Sequence, residues 1–226
     1  MMKNLFILLA LIFLSACSFQ TPQNQWQYKS SSAFESYKKN FLSNNDVLAK
    51  SDLNRAIKHA KQSADFTQLA RIYLGVCSLN LANGVKDDCK NYKRVSNLLK
   101  SKELESYYKL ISNAITQKDI EYLPQEYKEF ALSLVEKDYA KANQDILNIQ
   151  KTTSAFVASA LIKEYLQPQT REYILTKASY HGYKKTVLFW LEENLKYTKD
   201  EEKIQQIQKK IFILKDKSLL TTPLPQ

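Results

Sequence analysis

The chain has 226 residues, 44% of them hydrophobic and 25% charged, and its 33 basic and 23 acidic residues give a formal net charge of +10. Only three residues are glycine and five are proline, too few for the turns of a many-stranded sheet or for the glycine-rich loops of nucleotide-binding enzymes and nucleophile elbows. The composition excludes those classes and favours a helical chain with one or two cores.

The N-terminal segment is typical of an export signal. Lys3 precedes an unbroken apolar run over residues 5–14, and small residues follow it. The run is shorter than the roughly 20 residues that span a membrane, and a charged start, a short apolar stretch and small residues form the pattern of a secretory signal. One possibility is that this is an ordinary signal peptide, in which Cys17, the residue after the small residues, has no special role. The alternative is a lipoprotein signal.

Leu14-Ser15-Ala16-Cys17 resembles the lipobox of bacterial lipoproteins. The resemblance implies that residues 1–16 are a signal peptide and that Cys17 becomes the first mature residue and carries fatty acyl chains such as palmitate. In such lipoproteins an aspartate after the cysteine commonly signals retention in the inner membrane. Ser18 stands there instead, which implies an anchor in the outer membrane with the protein facing the periplasm.

Three further regions follow along the chain. Residues 17–29 are rich in Gln, Asn, Ser and Thr, which predicts a flexible tether. Residues 30–216 are predicted to form one helical domain, and residues 217–226 a loose tail.

Helix-start signals are dense within the domain. Ser32 with Glu35, Asp65 with Gln68 and Thr198 with Glu201 have capping-box spacing, and other short oxygen-bearing residues add further starts. Together they predict eleven helices near residues 32–50, 52–63, 66–82, 88–99, 102–117, 124–137, 139–150, 153–166, 169–181, 183–196 and 199–215. Because the connections are short, consecutive helices should pack as antiparallel neighbours.

Three segments resemble one another and, more weakly, the tetratricopeptide repeat. They begin at Asp52, Asp138 and Gly182, and each places small, β-branched or apolar residues four and eight positions later. Their spacings of 86 and 44 residues differ from the 34-residue period of that repeat. The resemblance implies an all-α fold of antiparallel helical hairpins, stacked as a tetratricopeptide-like α-solenoid of about eleven helices. An irregular helical bundle is the alternative.

The candidates for catalysis are few. His59 and His181 lie at different predicted helix ends, outside any Cys/His/Asp set with metal-ligand spacing. Glu105-Ser106 resembles the Glu-Ser pair of lytic transglycosylases, but the glycine-containing segment that those enzymes need is missing. The adjacent Glu192 and Glu193 diverge by about 100° on a helix. We therefore expect no catalytic site, no metal and no cofactor.

Cys77 and Cys89 are twelve residues apart, on either side of Asn83 and Gly84. In a helical hairpin that turns there, each thiol lies about six residues from the bend, on facing helices. The spacing therefore predicts a disulfide in the oxidising periplasm. Two separate buried thiols are the alternative.

The remaining signals indicate binding. Only four of the 33 basic residues are arginine, which argues against specific nucleic-acid recognition, whereas net positive charge favours anionic neighbours in the envelope. Tyrosines recur at predicted helix ends, and Tyr173 and Tyr180 are candidates for a binding surface. The expected function is a membrane-anchored, non-catalytic scaffold or assembly factor that binds envelope proteins. The alternative is a peptidoglycan-active envelope enzyme.

Overall fold

A computed structural model describes residues 24–216. In that range the chain forms eleven α-helices and no strand: α1 Gln25–Leu42, α2 Asp46–Gln62, α3 Phe66–Ala82, α4 Lys90–Ser96, α5 Lys102–Ile111, α6 Lys128–Val135, α7 Tyr139–Asn148, α8 Thr152–Leu161, α9 Pro168–Tyr180, α10 Lys184–Leu195 and α11 Glu201–Lys215. Short 3-10 helices lie at Gln117–Tyr122, Gln125–Tyr127 and Lys163–Tyr165. The predicted all-α fold of about eleven helices is confirmed.

Several helix starts lie where the caps predicted them. The side chains of Asp65, Ser101 and Asp138 accept hydrogen bonds from backbone N–H groups three residues later, at 2.9, 3.3 and 2.9 Å. These contacts satisfy donors that the first helical turn leaves without partners. The local sequence is therefore sufficient to fix the starts of α3, α5 and α7.

The first two helices differ from the prediction. Asn24 caps α1, whose first turn starts at Gln25 and not at Ser32, so residues 25–29 of the predicted tether are helical. The helix ends at Leu42 because the chain turns at Asn44, whose φ of 67° is left-handed. Asp52 lies inside α2, buried, and accepts a hydrogen bond from Asn40 at 2.7 Å. It was expected to start a helix, and instead it binds two helices together.

Helices that follow one another in sequence pack side by side in a solenoid-like stack of hairpins. Contacts join α1 to α2, α2 to α3, α3 to α4, α6 to α7, α9 to α10 and α10 to α11. Ala56 is fully buried, and its carbonyl accepts a hydrogen bond from Ser30 at 2.9 Å across the first hairpin. A small residue there lets the two helices approach closely.

Two further contacts join helices far apart in sequence. α3 packs on α8, and α10 packs on α1. Phe130, Phe156 and Trp190 are fully buried in the main hydrophobic core, whose residues come from helices α3 to α10 and the segments between them. These contacts bring α1, α3, α5 and α8 around one groove. Within residues 24–216 no helix has both the length and the apolar character that crossing a membrane requires.

Candidate functional site

A groove of about 280 Å³ lies between α1, α3, α5 and α8. Leu74, Gly75 and Ser78 of α3 line its base, and Phe34 of α1 and Val157 of α8 are among its apolar walls. A Cβ atom at position 75 would lie 2.4 Å from Cζ of Phe34. Glycine is therefore what allows the Phe34 ring to lie directly on α3.

A pair of tyrosines forms the polar part of the groove. The rings of Tyr107 and Tyr127 lie 5.4 Å apart, and their hydroxyl oxygens are 3.4 Å apart. Ser78 and Ser154 also line the groove, and their hydroxyls donate to the carbonyl of Leu74 at 2.8 Å and to Glu126 at 3.5 Å. Burial raises the pKa of both tyrosines, so each hydroxyl remains protonated at neutral pH and keeps a hydrogen to donate.

Charged side chains of both signs surround the groove, and its two carboxylates are paired with cations. Arg71 lies 3.9 Å from Glu103, and Glu126 accepts a hydrogen bond from Lys151 at 2.8 Å. Burial by itself would raise the pKa of Glu126, but the hydrogen bond from Lys151, assisted by backbone and serine donors, lowers it below its usual value. Glu126 is therefore ionised at neutral pH.

This arrangement suits binding better than acid catalysis. A carboxyl group that serves as a general acid near neutral pH needs a raised pKa, the opposite of the shift at Glu126. The volume lies just below the roughly 300–1,000 Å³ of pockets that enclose small molecules and cofactors. The groove therefore has room for one or two amino-acid side chains, beside the hydroxyls of Tyr107 and Tyr127.

The structure joins Cys77 and Cys89 in a disulfide, with their Cα atoms 5.5 Å apart. The chain turns between them at Gly84, which has a φ of 70°, so the bond holds α4 against α3. Asp87 offers an oxygen close to both sulfur atoms. Because the sulfurs are bonded to each other, they are not thiolates that could bind a metal ion there. Cys17 lies outside the described residues.

Tyr173 and Tyr180 have different environments. The hydroxyl of Tyr173 lies 3.2 Å from the carbonyl oxygen of Leu147, to which it donates, and 3.4 Å from that of Ile149, and so joins α9 to the end of α7. Tyr180 is 84% exposed and lies edge-on to His181, with ring centroids 5.2 Å apart. Tyr173 is half-buried and Tyr180 is exposed, and neither residue lines the groove.

The other candidate residues have structural partners. Glu105 is exposed and pairs with Lys109 at 2.9 Å, whereas Ser106 is buried, so the two side chains diverge. His59 stacks near Trp26, with centroids 5.6 Å apart.

Glu192 pairs with Lys215 at 2.7 Å, and its buried neighbour Glu193 pairs with Lys196. The two carboxylates therefore point in different directions, as expected for adjacent helical residues. His181 lies 3.1 Å from the hydroxyl of Thr152.

The sequence named tyrosine as a candidate residue type for binding but did not predict the groove. Tyr107 and Tyr127 belong to the set of tyrosines at predicted helix ends, and nothing local distinguishes them from Tyr173 or Tyr180. What distinguishes them is the packing of α3 on α8, which periodicity along one helix does not encode.

Comparisons with protein families, with curated proteins and with solved structures give no significant match.

Proposed function

We propose that this protein is a lipid-anchored, non-catalytic binding protein of the cell envelope, which holds a segment of a partner protein in the groove between α1, α3, α5 and α8. The anchor is the acylated Cys17, in the outer membrane and on its periplasmic face. The protein then acts as a scaffold or assembly factor for envelope proteins.

The groove carries this proposal. It combines apolar walls, the Tyr107–Tyr127 pair and a rim of both charges. Tyrosine offers contact area together with a hydroxyl at little entropic cost, so it is frequent where proteins bind each other. A partner segment with an apolar or aromatic side chain, flanked by charged residues, matches the walls and the rim.

The resemblance of residues 14–17 to a lipobox supports the anchor. Replacing Cys17 with alanine should leave an unprocessed precursor or release the chain from the membrane fraction. The mass of the N-terminal peptide measures processing and acylation directly. A Cys17→Ala protein that is still processed and bound to the membrane would contradict the anchor.

Filling the groove should abolish partner binding. Thr153 is a half-buried groove residue near the start of α8, and Thr153→Tyr places a ring in the space that the partner's side chain would occupy. Thr176→Tyr is the matched control, because Thr176 is exposed on α9 and away from the groove. Circular dichroism and thermal unfolding establish that both variants fold.

Cross-linking in intact cells gives the measurement. A photo-reactive amino acid in place of Glu103, on the rim, should give a defined adduct that Thr153→Tyr removes and Thr176→Tyr leaves. The same amino acid in place of Glu172, exposed on α9, should not give this adduct. If Thr153→Tyr leaves the adduct unchanged, the groove is not the binding site.

The enzyme alternative has its own test. If the protein cleaves peptidoglycan through the groove, Glu126→Gln should abolish that activity while the fold is retained. Such a loss would refute the binding-only proposal.

A further inference from the structure

We propose that the end of the helical stack where α1 begins lies against an anionic membrane surface. This end consists of the N-termini of α1 and α3 and the C-terminus of α2. The proposal rests on the lipid anchor of the proposed function, and it adds a second membrane contact that is made by folded residues.

Contacts between side chains bring the three helix ends together. The Trp26 ring of α1 lies 5.6 Å from the His59 ring in the last turn of α2. The amide of Gln68, near the start of α3, donates to the hydroxyl of Ser31 in α1 at 3.1 Å. Residues 24–31, 58–62 and 65–68 therefore share one end of the molecule.

Aromatic side chains are exposed at this end. Tyr28 is 62% exposed and Phe66 is 47% exposed, and Trp26 is half-buried against α2. Exposed aromatic residues of this size cost solvation free energy in water. At a bilayer surface their rings lie favourably between the headgroups and the acyl chains, where Trp and Tyr are enriched.

Lysines accompany the aromatic residues. Lys29, Lys58 and Lys61 are all exposed, and Nζ of Lys29 lies 4.8 Å from the Trp26 ring centroid. The carboxylate of Asp65 at this end caps α3 by accepting from Gln68 N at 2.9 Å. Three lysines against one engaged carboxylate give the end a positive potential, which attracts anionic phospholipids.

The position of the anchor selects the membrane as the occupant of this surface. Cys17 precedes Asn24 by seven residues, and a chain spans at most about 3.3–3.6 Å per residue. An acyl group on Cys17 therefore keeps the start of α1 within about 25 Å of the bilayer surface. The aromatic residues and the lysines lie where that constraint acts.

Tryptophan fluorescence tests the contact. Trp26 and Trp190 are the two tryptophans of the chain, and Trp190 is fully buried. We would measure the lipidated protein on vesicles of equal parts phosphatidylglycerol and phosphatidylethanolamine, with the acyl chains brominated near the headgroup so that they quench nearby tryptophans. The fluorescence of the Trp190→Phe protein, which comes from Trp26 alone, should be quenched on these vesicles. The fluorescence of the Trp26→Phe protein, which comes from Trp190 alone, should not. Absence of quenching in the Trp190→Phe protein would overturn the proposal.

Replacing the three lysines tests the electrostatic part. The triple variant Lys29→Gln, Lys58→Gln and Lys61→Gln should weaken docking by about 100-fold. Each lysine near an anionic surface raises the docking equilibrium constant by about fivefold. The control variant carries Lys199→Gln, Lys209→Gln and Lys210→Gln. These lysines are exposed outside the docking end, and the control changes the net charge by the same amount. Equal quenching losses in the two variants would contradict a specific docking end.

The outcomes separate this inference from the anchor. Protein that sediments with the vesicles but shows no Trp26 quenching keeps the anchor and refutes the docking surface. If the mass of the N-terminal peptide shows that mature protein carries no acyl chain, the anchor is refuted, and Trp26 quenching of that protein on anionic vesicles would still keep the docking surface. Vesicles of phosphatidylcholine alone should give weaker quenching in either case, and equal quenching would overturn the choice of an anionic surface.

Discussion

Replacing Gly84 with alanine should destabilise the protein more than the same change at Gly182. Both glycines have a left-handed φ, of 70° and 65°, and both lie in the turn after a helix. A Cβ at Gly182 would meet no atom within 4 Å, whereas a Cβ at Gly84 would lie 2.3 Å from Cε2 of Phe189 in α10. The two substitutions share the backbone cost, and only Gly84→Ala also meets a steric obstacle.

The magnitudes follow from these two terms. A left-handed conformation costs a non-glycine residue roughly 1–2 kcal/mol, and Ala64 and Lys137 already adopt one in this fold. Overpacking adds about 1–3 kcal/mol, because the Phe189 ring is partly buried and packs against Trp190 at 5.0 Å. We expect a loss of about 1–2 kcal/mol for Gly182→Ala and about 2–5 kcal/mol for Gly84→Ala.

Thermal unfolding followed by circular dichroism measures the difference. Each kcal/mol lowers Tm by about 2–4 °C for a chain of this length. Combining Gly84→Ala with Phe189→Leu should recover part of the steric loss, which would appear as a coupling energy in a double-mutant cycle. Equal losses at the two glycines, or a coupling energy near zero, would refute the close contact between the end of α3 and α10.

The helix boundaries that could be predicted are those fixed by local chemistry. Asp65, Ser101 and Asp138 each accept a hydrogen bond from the backbone N–H three residues later. The whole signal therefore lies within four consecutive residues. The start of α1 was missed because Ser32 and Glu35 have capping-box spacing inside a continuing helix, which begins at Gln25 after Asn24. A capping pattern identifies a start only where the preceding residues do not already form helix.

The groove could not be predicted because it depends on contacts between distant helices. Phe34, Arg71 and Val157 belong to α1, α3 and α8, which meet only when α3 packs on α8. The disulfide was predictable for the opposite reason. Cys77 and Cys89 are close in sequence, and the single turn at Gly84 between α3 and α4 brings them together.

The disulfide and one groove carboxylate give two further predictions. Cys77→Ser with Cys89→Ser should cost roughly 3 kcal/mol of unfolding free energy in the chain-entropy model, and denaturant unfolding with and without reductant would measure it; reductant sensitivity in the double variant would contradict this source. Because Glu126 has a lowered pKa in the folded state, its ionised form stabilises the fold above the usual glutamate pKa of about 4.3, and that contribution disappears as the pH falls through the folded value. Glu126→Gln should therefore be less stable than the parent at about pH 7 and should approach it in stability at about pH 2–3. If the stability difference between Glu126→Gln and the parent does not depend on pH, the variant acts through packing and not through loss of the Glu126 carboxylate that pairs with Lys151.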